Sequence, residues 1–286
     1  MTTAPGSSAP RVYTPESPIR RPRRFVAEIA GDVRAARMLA WRLFVRDISA
    51  LYRQTALGYV WALLPPLVTT LVWILLNSSR LVTINTGDIP YPVFVLTGTV
   101  FWQLFLEALN APLKQLSGNK SMLNRVSFPT EALLMSGMAQ VLFSFLIKLV
   151  VLAGALAIFR VPVEWTAVFV VFPIFGLLAI GTVAGVLLAP AGLLFKDVEQ
   201  ALLVIVTPLM FLTPVVYPPP GGYIGAIMRL NPLTPVFTVT RDLLYGDVGA
   251  MVGAFALVLA GTLVVAALGW IVYRLALPIL IERLEA

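Results

Sequence analysis

Six apolar stretches, near residues 57–79, 93–111, 132–158, 166–194, 199–217 and 252–273, constrain everything else in this sequence. Each is close to the ~20 residues a helix needs to cross a bilayer core with its own backbone satisfied. The second is marginal and contains Glu107. Together they predict an all-α polytopic membrane protein with six transmembrane helices. Composition agrees: 59% of the 286 residues are hydrophobic and 12% are charged, where a soluble domain carries roughly 25% charge. The fourth stretch holds Gly181 and Gly185, a spacing that lets a neighbouring helix approach closely.

Charge placement gives direction. Ten of the 21 Lys and Arg precede residue 57. A basic segment beside apolar stretches suits an anionic leaflet and argues against nucleic acid as a partner. With the N-terminus inside, the inner segments hold sixteen Lys and Arg and the outer ones four, namely Arg80, Arg160, Arg229 and Arg241. That excess predicts a multi-pass protein of a cytoplasmic (plasma) membrane with both termini cytoplasmic.

Residues 1–33 read as a disordered basic tail, rich in Pro, Ser, Thr and Arg without apolar periodicity. Its Arg pairs at 20–21 and 23–24 are not followed by the short apolar region of a cleaved leader. Residues 34–56 read as an amphipathic helix. Arg42, Arg46, Ser49 and Arg53 share one face, and Trp41, Phe44, Ile48 and Leu51 share the opposite one. A basic helix with Trp and Phe on its apolar side is expected in the membrane interface, since spans follow directly. Residues 57–286 then form the transmembrane domain.

The segment 218–249 interrupts it on the outer side. It opens with Pro218, Pro219 and Pro220 before Gly221 and Gly222, and Asn231-Pro232 splits its two apolar pieces, 223–230 and 234–245. As helices these pieces are ~12 and ~18 Å long, too short for the ~30 Å hydrocarbon core. They are also too apolar for a free loop. A re-entrant helical hairpin that lines or closes an outer opening is the expectation.

Catalytic equipment is absent. With no His and no Cys, the chain lacks the commonest general base, the commonest metal ligands and every thiol nucleophile. Gly118-Asn119-Lys120-Ser121 is not a phosphate loop, because neither Asn119 nor Lys114 is the Gly that motif requires. No catalytic, metal or cofactor residue is expected. Glu107 and Lys148 are the intramembrane charges, and such charges mark function by default. At 1.5 Å per residue Glu107 lies ~21 Å from the outer boundary and Lys148 ~24 Å from the inner one. A direct pair between them is therefore not expected; Lys148 should snorkel outward and Glu107 should reach the inner interface. Trp73, Phe101, Trp102, Phe105, Phe211 and Tyr217 are candidates for a pathway lining, since aromatic planes suit the C–H faces of sugar rings. Membrane-interface anchoring explains Trp and Tyr equally well.

The layout resembles a known family. LGYVWALLPPL opens the first stretch, NRVSFP (Asn124 to Pro129) precedes the third, FKDVEQ (Phe195 to Gln200) precedes the fifth, and RLNPLTP (Arg229 to Pro235) sits in the hairpin. In this order they resemble the permease subunit of type-2 ABC exporters for polysaccharides, the Wzm and teichoic-acid exporter group, from about residue 40 onward. Lys196 stands where that family more often has Arg. The resemblance implies a homodimer that binds two copies of a separate ABC ATPase, which holds the ATP and Mg, and that exports a lipid-linked polysaccharide (O-antigen-, teichoic-acid- or galactan-like). It implies ATPase docking by Arg42, Arg46, Arg53, Asn124, Arg125, Phe128 and Pro129. It implies an outer gate at Pro218, Pro219, Pro220, Asn231 and Pro232, and a first span broken at Pro65-Pro66. A drug or small-lipid exporter is the nearest alternative. A membrane-embedded prenyl or glycosyl transferase would need an acidic metal cluster that the loops do not supply, and a scaffold would need no outer hairpin.

Overall fold

The computed structural model describes residues 36–50, 58–82, 84–120, 130–195, 197–246, 249 and 251–285, with side chains to residue 274. The described residues are helical, without strands. Helix α1 covers residues 36–50; α2 is Val60–Ser78, α3 Tyr91–Gly118 and α4 Glu131–Ile158. A 3-10 turn, Trp165–Val170, leads into α5, Val171–Leu194. Then come α6 (Asp197–Phe211), α7 (Gly222–Leu230), α8 (Leu233–Tyr245) and α9 (Val252–Glu285). Five segments are long and apolar enough to cross a membrane: α2, α3, α4, α5 with its 3-10 turn, and α9. The remaining predicted span, 199–217, folds as the 15-residue α6 followed by a turn. At ~22 Å, α6 alone is shorter than the ~30 Å core. The α7–α8 pair stands where the hairpin is predicted.

Helix α3 is the hub. Of its most apolar window 78% is buried, against 11% for α2 and for α9. Glycines let α5 lie directly on it: a Cβ at Gly181 would stand 2.8 Å from the Phe105 carbonyl oxygen, and one at Gly185 2.3 Å from that of Leu109. This is the close approach that the spacing predicts. Helix α4 packs on α3 with Gly137 against Ala111 and Gln115, and Phe145 edge-on to Phe101 at 5.5 Å. The two helices therefore run antiparallel. Helix α2 joins α3 through a buried Thr70–Thr99 hydroxyl contact of 3.1 Å. Contrary to expectation, α2 is not broken at Pro65 and Pro66 but runs through both. The cost is confined to the bonds their absent N–H groups would make one turn earlier, at Trp61 and Ala62.

The placement of α1 differs in detail from its predicted faces. Ala36, Ala40 and Leu43 are buried against Leu116, Leu133, Val186 and Tyr273, so a narrow stripe of small residues docks α1 across one end of the bundle. Arg42 and Arg46 are exposed. Trp41 is 64% exposed, with Met38 and Val45 exposed along the same side, an apolar strip facing away from the protein as an interfacial helix requires. Phe44 turns inward to meet Phe143, 6.1 Å between ring centres.

Candidate functional site

Three polar clusters punctuate the apolar bundle, one at each end and one inside. At the hairpin end, Arg241 of α8 is buried. Its guanidinium donates to the carbonyls of Pro214, Val215 (2.6 Å) and Phe94 (3.3 Å) and lies 3.7 Å over the Phe94 ring. Burial pushes its pKa down to about 10, so it remains a cation at neutral pH. Gly98 makes room for this cage, since a Cβ there would stand 1.8 Å from the Val215 carbonyl oxygen. Nearby, Asn231 donates to the Leu212 carbonyl at 2.9 Å and to Thr213 Oγ1 at 2.8 Å. Tyr245 meets Thr97 at 3.1 Å, and Thr166 donates to the Leu243 carbonyl at 2.8 Å. The hairpin is thus latched to α3, to the turn after α6 and to the 3-10 turn before α5.

Inside the bundle Lys148 Nζ donates to Glu107 Oε1 and, at 3.0 Å, to Ser144 Oγ. This corrects the expectation of two separate charges: the Lys148 side chain is 1% exposed and does not snorkel. Counting rise per residue ignores where side chains point. Cβ bonds tilt toward a helix's own N-terminus. In antiparallel helices the Lys148 stem therefore leans toward one end and the Glu107 stem toward the other, so the two side chains reach toward each other along the helix axes.

At the α1 end, Asp47 gathers Arg46 (2.7 Å), Gln140 (3.0 Å) and Gln115 (3.4 Å), while Arg46 also donates to Asn119 Oδ1 at 3.0 Å. Arg274 of α9 donates to Glu131 of α4 at 2.6 Å. These contacts join α1 to α3 and α4, and α9 to α4. Among the described residues no cluster of His, Cys, Asp and Glu could hold a metal ion.

Five apolar spans packed about α3, with a short amphipathic helix across one end and a latched hairpin at the other, set the frame for comparison. The family described as ABC-2 type transporter matches residues 38–245. The chain belongs to that family. It is 26% identical over 211 residues to the O-antigen export system permease protein RfbA of Myxococcus xanthus, covering 71% of this chain and 78% of that one. A protein of the same name from Klebsiella pneumoniae is 23% identical, with 69% and 76% covered. The polysialic acid transport protein KpsM of Escherichia coli is 25% identical, with 70% and 78% covered. Membership of that family implies an ABC transporter with an ATPase partner.

The expected site residues fall into separate groups. Trp73, Phe211 and Tyr217 come together near the hairpin end, with the rings of Trp73 and Phe211 6.2 Å apart and the Tyr217 hydroxyl donating to the Phe211 carbonyl. Phe101, Trp102 and Phe105 are instead buried in the core, where Phe101 meets Phe145 and Trp102 meets Phe237. Pro219, Pro220 and Pro232 are exposed, whereas Pro218 and Asn231 are half-buried. Arg53, Asn124, Arg125, Phe128, Pro129 and Lys196 lie outside the described residues. Asp47, Arg241 and the Glu131–Arg274 pair were not singled out by sequence reasoning. An Arg, followed by Asp242, in a short helix of mostly apolar residues and Thr is the signal that could have found Arg241.

Proposed function

We propose that this chain is the transmembrane permease subunit of an ATP-driven exporter that moves a lipid-linked polysaccharide across the bacterial cytoplasmic membrane, toward the cell envelope. The observation that supports it most strongly is the likeness, over about three quarters of their length, to chains named for O-antigen export and polysialic acid transport. In this reading two copies pair, and each binds one ABC ATPase subunit that holds ATP and Mg. The α1 end is cytoplasmic, where Arg42, Arg46, Arg53 and the segment around Asn124, Arg125, Phe128 and Pro129 meet the ATPase. Both termini are cytoplasmic, in keeping with the Lys and Arg excess. Helix α6 with its following turn serves as the sixth crossing. The α7–α8 hairpin, with Pro218, Pro219, Pro220, Asn231 and Pro232 at its edge, closes the outer opening, with Trp73, Phe211 and Tyr217 beside it.

Deleting the chain and restoring it from a plasmid tests the reading. Surface polysaccharide should fall on deletion while lipid-linked precursor accumulates inside, and both should recover on restoration. Unchanged surface polysaccharide would overturn the reading. The purified chain should hydrolyse ATP only together with its ATPase.

A further inference from the structure

Helices α4, α5 and α9 meet at points and leave a groove between them. Glu131 of α4 and Arg274 of α9 pair at one end. A Cβ at Gly269 would stand 3.0 Å from Leu187 Cδ2, so α9 lies close on α5 there. Thr182 of α5 donates to Met138 Sδ of α4 at 3.0 Å. The space among these contacts is about 550 Å³, within the ~300–1,000 Å³ of small-molecule sites. Leu134, Met138 and Leu142 of α4, Val183 of α5, and Ala266 and Trp270 of α9 are among the residues that wall it. From Glu131 to Leu142 it runs ~16 Å at 1.5 Å per residue, about one leaflet of the ~30 Å core.

The charged groups sit at one end of this groove, and their levels are those of a lipid. Helix α1 rests its stripe of small residues on Leu133, Val186 and Tyr273, which puts this end at headgroup depth. Arg37 and Arg42 are exposed on α1. Arg274 balances Glu131 and keeps 20% of its side chain accessible. One turn deeper along α9, ~6 Å away, the ring of Trp270 stacks on Tyr273. The Trp270 Nε1–H has no acceptor among the described residues, and a donor left so is costly. Beyond Trp270 the wall is apolar apart from Thr182, whose hydroxyl is spent on Met138.

We propose that this groove is a fixed seat for one diacyl phospholipid of the leaflet at the α1 end. Its phosphate lies by Arg274, with the basic α1 adding attraction. An ester oxygen accepts from Trp270, and one acyl chain fills the space from Ala266 to Leu142. Each level of the lipid thus meets its complement: cation for phosphate, donor for ester, apolar wall for chain. Met135 and Met138 are unbranched and mould themselves to such a chain. The seated lipid splints α4 to α9 beyond their Glu131–Arg274 pair. Nothing in this seat depends on what the chain exports.

The full-length chain, purified in a maltoside detergent, is titrated with a diacyl phosphatidylethanolamine that carries a diazirine in one acyl chain. After illumination, adducts are mapped by peptide mass. Adducts within 134–142, 182–186 and 266–270 should saturate at about tenfold less probe than those at Val150 and Leu257, which are exposed on the outer faces of α4 and α9. Unlabelled diacyl phospholipid should displace them. Ala139→Phe with Ala266→Phe fills the groove and should abolish the saturable adducts. Those at Val150 and Leu257 should stay, which shows that the chain still folds. Trp270→Phe keeps a ring, removes the donor and should raise the half-saturating concentration about three- to tenfold. Glu131→Gln with Arg274→Gln should raise it about two- to fivefold. Adducts that rise in parallel at all positions, or that survive the two Phe residues, would overturn the proposal. Half-saturation unmoved by both polar variants would do the same. So would displacement by a polyisoprenyl phosphate but not by diacyl phospholipid, or a disulfide between Ala139→Cys residues of two copies. Surface polysaccharide is not read in this experiment, so the seat and the export reading fail separately.

Discussion

The two ends of the bundle are fastened by opposite kinds of bond. At the hairpin end a buried cation, Arg241, is caged by neutral carbonyls from α3 and from the turn after α6. Those carbonyls have no water to fall back on. At the α1 end the anion Asp47 is held by amides and by Arg46, whose side chain is 50% exposed. Arg46 and the half-buried Gln140 can trade their bonds for water at little cost, and Gln115 alone of the three is buried. A cage of the first kind is kept whole or lost whole, whereas the second can loosen by degrees. The hairpin and α3 thus form one stiff body, and the chain has its give where α1 lies.

The comparison can be broken, and the largest effect should come from Arg241→Met. It leaves buried carbonyls without donors, at about 1–3 kcal/mol for each unsatisfied group, and removes the ring contact as well. The expected result is a loss of roughly 3–5 kcal/mol, seen as a fall in the unfolding midpoint in detergent and as protease cutting within 218–249. A hairpin that stays resistant would show that the cage is not the latch.

Next in size is Lys148→Met, which strands the Glu107 carboxylate at a cost of about 2–4 kcal/mol. Adding Glu107→Gln should recover most of that loss. If the two substitutions add without recovery, no coupling exists between α3 and α4 at this point. Gly98→Ala should cost about 1–3 kcal/mol by overpacking, and its effect should largely vanish in the Arg241→Met background, because both act on the same cage. Asp47→Asn should be the smallest, about 0.5–1 kcal/mol. It should leave the global midpoint nearly unchanged while hydrogen exchange in residues 36–50 quickens and becomes less sensitive to salt. A global loss as large as that from Arg241→Met would erase the contrast between the ends.

What the sequence made legible were the features set by long repeats of one property. Apolar runs marked α2, α3, α4, α5 and α9, and Gly181 with Gly185 marked a close helix contact. What it hid were features set by direction or by single partners. The Glu107–Lys148 pair was invisible to depth counting because side chains lean along the helix. The docking stripe of α1 was missed because Ala36 and Ala40 register weakly in any hydrophobic pattern, although small size is what lets the helix sit close. Trp102 and Phe105 looked like lining because aromatics draw attention. The accessible positions beside them, Gln103 and Glu107, became distinguishable only once burial was known. Fifteen residues of α6 looked longer because apolar character continues through Val215 and Val216, which are buried beneath Arg241 in a turn.

Gly181 and Gly185 put the backbone of α5 against that of α3 with no side chains between them. Two rods in such contact behave as a single beam: sliding one past the other would drive the next residue's Cβ into a carbonyl. Ratcheting by a helical turn is therefore closed to this pair. Motion within the chain therefore falls to its loosely held members, α1 and the little-buried α2, about a beam that keeps its shape.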